Sequence, residues 1–308
     1  MVNINYSVLG SLQRSPIAGF KGILPPRQAI DQLKMCNNIL SSNKFKKGII
    51  YDISSAGFNS AILVGDLHAR VDNLSAIMVH NNNLGKMISG ESSVILLGDA
   101  QHNEKDLKEV DSTIQIMQHI MELILSAKKH SNFVYLMGNH DNYWLPFYRI
   151  EKTTGEKIYQ SEFTAKRINE LYGIEYLQNF LSFLENLPLI AIGRNFVAAH
   201  AGPIDTRFKR EDLEQFLLYS NLTHHFVYQL IWSRYFYGDY DQNSVNNFLS
   251  RLNIPNTNFF VGHTHPQGNW YDKLFENHYL IDASKDRFGY VFVKDDKIEF
   301  VDLTKEIT

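Results

Sequence analysis

The sequence predicts an α/β protein built on a mixed sheet. Three observations carry this. Short apolar runs alternate with amphipathic stretches through the first half of the chain, and strand-like runs outnumber helical ones towards the end. That is the pattern of layered α/β architecture. The third observation is chemical. Five of the apolar runs end in loops that hold Asp, Asn or His, and ligands gather at the carboxyl ends of strands in such sheets.

Residues 1–24 read as an irregular arm. "PPRQAIDQLKMCNNILSS" follows, with two prolines at a helix start and Ile30, Leu33, Met35 and Ile39 at roughly helical spacing. "SAILVGD" (60–66) is a buried strand, and "NLSAIMVHNNNL" is helix-like. "SSVILLGD" (92–99) is a second strand. Leu107, Val110, Ile114, Met117, Met121, Ile124 and Leu125 keep a 3–4 spacing, which predicts a long amphipathic helix. "NFVYLMGNHD" (132–141) is a third strand and its loop, and 160–187 is predicted helical up to Pro188. "LIAIGRNFVAAHAGP" (189–203) reads as two strands around a Gly-Arg-Asn turn. An aromatic-rich stretch over about 208–237 is expected to be helical, and "NFFVGHTHP" (258–266) is a strand and loop. "HYLIDAS" and "GYVFVKDDKIEFVDL" close the chain as strands, the latter as a hairpin turning at Asp295 and Asp296.

Composition narrows the function. With 308 residues, 44% of them hydrophobic, the chain can bury one large domain. A net charge of −3 argues against a nucleic-acid binder. Cys36 is the sole cysteine, so neither an intramolecular disulfide nor a thiolate-rich zinc site is expected. The N-terminus "MVNINYSVLGSLQRSP" lacks a continuous apolar segment, so no cleaved secretory leader is expected. No apolar run approaches the ~20 residues that span a bilayer. A cytoplasmic monomer is the expectation.

The strand ends carry the chemistry. Asp66 and His68 follow the first, Asp99 the second, Asn139, His140 and Asp141 the third, His200 the fourth, and His263 and His265 the fifth. Each loop alone has a bland reading: Gly-Asp is often only a turn, and a lone histidine such as His200 is more often packed than ligating. Five in order point to convergence on one place. Carboxylate and imidazole donors suit Mn, Fe or Zn. Two such ions roughly 3.5–4 Å apart need a shared carboxylate. Asp99, alone after its strand, fits that role.

These motifs resemble the calcineurin-like metallophosphoesterases, and within them the phosphoprotein phosphatase branch. "GDLHAR", "GDAQHNE", "GNHD", "HAGP" and "GHTHP" stand for the branch's GDxHG, GDxVDRG, GNHD, HAG and GH loops, and "LIWSR" for its Trp-x-Arg element. The resemblance implies a four-layer α/β/β/α sandwich with a dimetal site at the strand ends. Residues 1–50 would form an arm and helix before a catalytic domain over 51–308. It implies that Asp66, His68 and Asp99 bind one ion, with His265 added as in the wider superfamily. Asp99, Asn139, His200 and His263 would bind the other. His140 would be the general acid, Arg234 would hold phosphate, and Asn139 would face it. The cofactor expected is two divalent ions, foremost Mn²⁺, with hydroxide attacking phosphorus directly. The substrate expected is a phosphorylated protein. The alternatives are a dinucleoside polyphosphate or other small-molecule esterase, and a non-catalytic metal-binding module.

The departures are in the second motif. Where the branch has an Asp that pairs with the general acid and an Arg that grips phosphate, this chain has His102 and Asn103. Arg70 or Arg234 would then supply the positive charge, and Glu104, Asp106 or Asp141 would orient His140. This divergent loop resembles that of the Wip-type effector phosphatases of Legionella, which would imply translocation into a host cell.

Overall fold

In a computed structural model of the protein, the described residues are 23–127 and 131–304. Most of the predicted arm therefore lies outside them. Two sheets face each other. The larger has the order β1 (Lys46–Lys47), β2 (Ile50–Asp52), β8 (Ile190–Ile192), β9 (Phe196–Ala199), β10 (Asn258–Val261), β12 (His278–Ile281) and β11 (Tyr271–Phe275). The smaller has the order β14 (Lys297–Asp302), β13 (Gly289–Lys294), β3 (Ser60–Val64), β4 (Ser92–Leu96) and β5 (Phe133–Tyr135). Both are mixed: β3, β4 and β5 pair in parallel, while β13 joins β3 antiparallel. A separate two-stranded ribbon pairs β6 (Arg149–Ile150) with β7 (Lys157–Ile158).

The central strands are buried on both faces, and side-chain alternation divides them between two cores. Leu63, Ile95, Val134, Ala198, Phe260 and Val291 point between the sheets. Their neighbours Ile62, Val64, Val94, Leu96, Phe133 and Phe259 point towards helices. On the smaller sheet these are α2 (Val71–Val79), α3 (Asn83–Ser89) and α4 (Asp111–Ser126), with α3 against β4 and α4 against β5. Helix α1 (Pro26–Ser42) packs on α4 and on α6 (Ile174–Glu185), and α5 (Gln160–Tyr172) lies beside α6. On the larger sheet, α7 (Arg210–Glu214) and α8 (His225–Trp232) precede α9 (Gln242–Arg251), whose Phe248 ring meets Phe259 at 5.4 Å. The result is the expected α/β/β/α sandwich.

Several boundaries differ from expectation for local reasons. The predicted long helix begins at Asp111, because Asn103, Asp106 and Glu109 accept backbone N–H groups in the turns before it. The predicted helix over 160–187 breaks at Gly173, whose φ of 82° ends one helix and opens the next. The stretch 208–237 is not one helix but short helical segments joined by turns. Helix α9, strands β1, β2 and β11 and the β6–β7 ribbon lie in stretches to which the sequence assigns no element. Helix α1 starts at the prolines as predicted and buries Ala29, Leu33, Cys36 and Leu40 in the common core. Among the described residues no helix is long and apolar enough to cross a membrane.

Candidate metal centre

The two sheets meet where the motifs lie. A parallel bridge joins Asp66 to Asp282, so the end of β3 touches the end of β12. Two glycines permit the packing. A Cβ on Gly138 would collide with the Asp99 carboxylate and backbone, and one on Gly262 would collide with the Asp66 carboxylate. The loops are also bent unusually. His68, Ala69, Asp99, His102 and His263 all adopt positive φ, between 43° and 65°. Such backbone is costly for residues with a side chain and concentrates at functional sites.

The expected ligands converge. Ligand atoms of His68, Asp99 and His140 lie within 4.8 Å of one another, as do those of Asp99, His200 and His263. Asp99 belongs to both groups. Asp66 joins them through Oδ2, 3.9 Å from His68 Nε2, and Oδ1, 3.7 Å from His200 Nδ1. Asn139 Oδ1 lies 3.0 Å from His200 Nε2, which in turn is 3.3 Å from Asp99 Oδ2. His265 stands further out. Its ring is 6.4 Å from that of His68, and its Nδ1 contacts Asp282 Oδ2 at 2.6 Å.

The electrostatics fit a cationic occupant. Asp66, Asp99, Asp141 and Asp282 are all buried. Burial raises the Asp66 pKa to about 6. Burial also acts on Asp99, but the imidazoles of His200 and His140 outweigh it and hold this carboxylate well below the usual range. On His200 burial opposes charge, yet Asp99 and Asp66 prevail and lift its pKa to about 9. Buried carboxylates of this density need positive charge beside them. A hard-to-borderline divalent ion with oxygen and imidazole ligands would supply it. Two of the candidate ligand imidazoles are also held from behind, as metal ligands are. His200 Nδ1 donates to the Leu97 carbonyl at 2.9 Å, and His68 Nδ1 lies 3.3 Å from the Gln101 carbonyl.

His140 sits on the edge of the cluster, with Nε2 3.9 Å from Asp99 Oδ2. Its Nδ1 is 3.0 Å from His102 Nδ1. Both rings are buried, and burial lowers the His102 pKa to about 3, so His102 is neutral. One of the two Nδ1 atoms must carry the shared proton. His102 Nε2 is buried without a hydrogen-bond partner among the described residues. An orphaned buried N–H is rarer than an orphaned acceptor. The favoured arrangement therefore puts the proton on His102 Nδ1, and His140 then carries its own proton on Nε2, facing the cluster.

None of the three acids expected to orient His140 touches its ring. Asp141 Oδ2 accepts the N–H groups of Asp99 at 3.0 Å and Gly138 at 2.8 Å. Its Oδ1 accepts from Gln101 Nε2 at 2.7 Å and the Tyr135 hydroxyl at 2.5 Å. Asp141 thus ties the second and third loops together. Asp106 caps the turn at Lys108 and Glu109. Glu104 turns instead towards His68 and His265.

The two arginines separate. Arg234 is at the site, its Nε donating to His263 Nε2 at 2.9 Å. Arg70 is not available: its Nε, Nη1 and Nη2 groups bond Asp72, Asn73, Ser284 and Asp286, which uses all of a guanidinium's donors. It clamps the start of α2 to the loop after β12, so its donors are engaged away from the phosphate role expected of it. An aromatic wall links His140 to His263. Phe147 meets His140 edge-on at 4.5 Å, Trp232 meets Phe147 at 5.0 Å, and His263 meets Trp232 at 5.6 Å. Sequence reasoning missed Asp282, Gln101 and Tyr135. Asp282 had a signal, since it too follows a strand directly.

The comparisons agree with this geometry. The calcineurin-like phosphoesterase family profile matches residues 60–267. No curated protein sequence matches. The fold is similar to a protein serine/threonine phosphatase from Saccharomyces cerevisiae with similarity to human phosphatase PP5. That match has a TM-score of 0.67 at 12% identity and covers 97% of this chain and 96% of the other. It is also similar to a cold-active protein-tyrosine phosphatase of a psychrophilic Shewanella, with a TM-score of 0.55 at 14% identity over 86% and 84% of the two chains. From the five loops, their meeting at Asp99 and the profile match, the chain belongs to the calcineurin-like phosphoesterase family.

Proposed function

We propose that this metallophosphoesterase is a phosphoprotein phosphatase that hydrolyses phosphomonoesters with the help of two divalent ions, foremost Mn²⁺. One observation carries the reading. The two ligand groups share Asp99, and one of them ends at His140 while the other meets Arg234. An acid and an anion-binding cation thus flank one buried centre.

Asp66, His68 and Asp99 would hold one ion, and Asp99, Asn139, His200 and His263 the other. Two ions so held supply a water of lowered pKa and positive charge at the phosphate oxygens. The chain does the rest. A proton taken up at the unpartnered His102 Nε2 lets His102 pass its Nδ1 proton to His140, and the resulting His140 imidazolium gives its Nε2 proton to the leaving oxygen and ends as the neutral ring. Arg234 takes phosphate oxygens with its planar fork. A neutral imidazole has one N–H. Were His263 to ligate through Nδ1, its proton would move to Nε2 and donate to the Trp232 carbonyl, 3.2 Å away, so that Nε2 no longer accepts from Arg234 and the guanidinium is released for phosphate.

A protein substrate is favoured over a polyphosphate by the state of the nearby cations. Several phosphates would need several free cations, but Arg70 pairs with Asp72 and Asp286, and Arg149 and Lys285 both pair with Glu104. The structural relatives named above are protein phosphatases, which supports the same choice. The test is a panel of phosphoserine, phosphothreonine and phosphotyrosine peptides assayed beside diadenosine tetraphosphate with Mn²⁺. Turnover of the peptides alone supports the reading. Turnover of the dinucleotide alone replaces it with the small-molecule alternative.

A further inference from the structure

Glu104 stands where no family motif calls for an acid, yet it is brought to the centre. Its side chain is only 16% exposed. Oε1 lies 3.7 Å from His68 Nε2 and 3.4 Å from His265 Nε2. Each imidazole has its other nitrogen committed, His68 Nδ1 to the Gln101 carbonyl and His265 Nδ1 to Asp282. A neutral ring that donates from Nδ1 offers a lone pair at Nε2. With both rings neutral, as metal ligands are, two lone pairs would face one carboxylate oxygen, an arrangement that repels unless a cation lies among them. Behind the carboxylate, Arg149 Nη2 lies 3.1 Å from Oε1 and the Lys285 ammonium bonds Oε2. Ligating carboxylates are commonly braced in this way by outer hydrogen bonds.

We propose that Glu104 is an additional carboxylate ligand of the ion held by Asp66, His68 and Asp99, that it recruits His265 to the same ion, and that Arg149 and Lys285 brace it. The proposal rests on the dimetal reading above. It answers why this loop exchanges the family's Asn103-position arginine and the small residue after it for an amide and an acid. The loop gains a metal ligand, and the two cations near it serve that ligand instead of substrate. The competing arrangement is purely an ion-pair chain, with a protonated His265 between Glu104 and Asp282.

The experiment is titration of the metal-free protein with Mn²⁺, read by calorimetry and by the electron paramagnetic resonance of free Mn²⁺. The native chain and Glu104→Gln are compared, with thermal midpoints measured in excess chelator. The native chain should take up two ions. Glu104→Gln should bind one of them about 10–100-fold more weakly and leave the other unchanged, with a chelated thermal midpoint like that of the native chain. His265→Ala should weaken the same ion. If Glu104→Gln fails to fold, Glu104→Asp takes its place, because it keeps the charge but withdraws the oxygens by one methylene; the same ion should then weaken. Identical affinities for both ions in the native and variant chains overturn the proposal and leave the ion-pair chain. If the native chain binds no ion, it is the dimetal reading itself that falls.

Discussion

His102 Nδ1 and His140 Nδ1 lie 3.0 Å apart, two buried imidazoles sharing one proton. The pair stands where the metallophosphatase motif that this loop resembles has a carboxylate. A carboxylate stabilises an imidazolium. A neutral imidazole does less, but as a donor it selects the tautomer of its neighbour. Once the pair takes up a further proton, His140 should act as an acid through Nε2 without being required to hold metal. His140→Asn should keep its ions and lose about 10²–10⁴ in kcat on alkyl phosphate esters. On p-nitrophenyl phosphate, whose leaving group needs little protonation, the loss should be much smaller. Because His140 also lies within reach of an ion beside His68 and Asp99, metal content must be measured in parallel. Loss of an ion in the variant would make His140 a ligand instead.

Replacing His102 tests the partner separately. His102→Phe keeps an aromatic ring stacked on Tyr143, which now lies 5.9 Å away, but removes the donor. Turnover of alkyl esters should fall about 10-fold or more, with p-nitrophenyl phosphate again less affected. The same loss on both substrates would show that His102 only packs.

Arg234 is half-buried and tied to His263 through its Nε. Arg234→Ala should raise KM, lower kcat, or both, by about 10-fold or more, because a charge-assisted bond to phosphate contributes roughly 1.5–3 kcal/mol. Arg70→Ala should leave kinetics unchanged and lower the thermal midpoint, since Arg70 joins α2 to the loop at Ser284 and Asp286. Kinetics that respond to Arg70 and not to Arg234 would reverse the two assignments.

A pH effect on stability arises away from the centre. His278 is fully buried, with Nε2 2.9 Å from the Tyr240 hydroxyl and Nδ1 3.2 Å from the Phe259 carbonyl. Burial lowers its pKa from 6.5 to about 4. Between those values the unfolded chain binds the proton and the folded chain does not. Stability is therefore fully present above pH 6.5 and is lost as pH falls towards 4, by about 3 kcal/mol in all. Urea unfolding at pH 7 and pH 5 measures the slope, and His278→Gln should flatten it. An unchanged slope in the variant would assign the acid sensitivity to other groups.

Much of this centre was legible because its ligands follow apolar strands at once, and an Asp, Asn or His after a buried strand stands out. The fold was legible where a short apolar run or a sustained period stood out, as in β3, β4, α4 and the closing hairpin. The division into two sheets was not. Strands buried on both faces, such as Ile62–Leu63 and Val94–Ile95, give no sign of which neighbour is helix and which is sheet. The polar sequence "QNSVNNFLSR" hid α9, which buries only Val245, Phe248 and Leu249 and is started by an Asp241 cap. Chain proximity does not foretell the partners of Asp141 and Arg70. Asp141 is next to His140 in sequence, but its carboxylate turns back to the backbone of Asp99 and Gly138. Arg70 is two residues from His68, but Asp72 and Asp286 capture it.

The central claim is that two ions bridged by Asp99 make this chain a phosphatase. It is tested most directly by assaying phosphopeptide hydrolysis in chelated protein, then after addition of Mn²⁺, in the native chain and in Asp99→Ala, with bound metal counted in each sample. The account predicts no hydrolysis in the chelated native chain, recovery with about two Mn²⁺ per chain, and neither activity nor full metal occupancy in Asp99→Ala. Full activity in metal-free protein, or in Asp99→Ala, would contradict it.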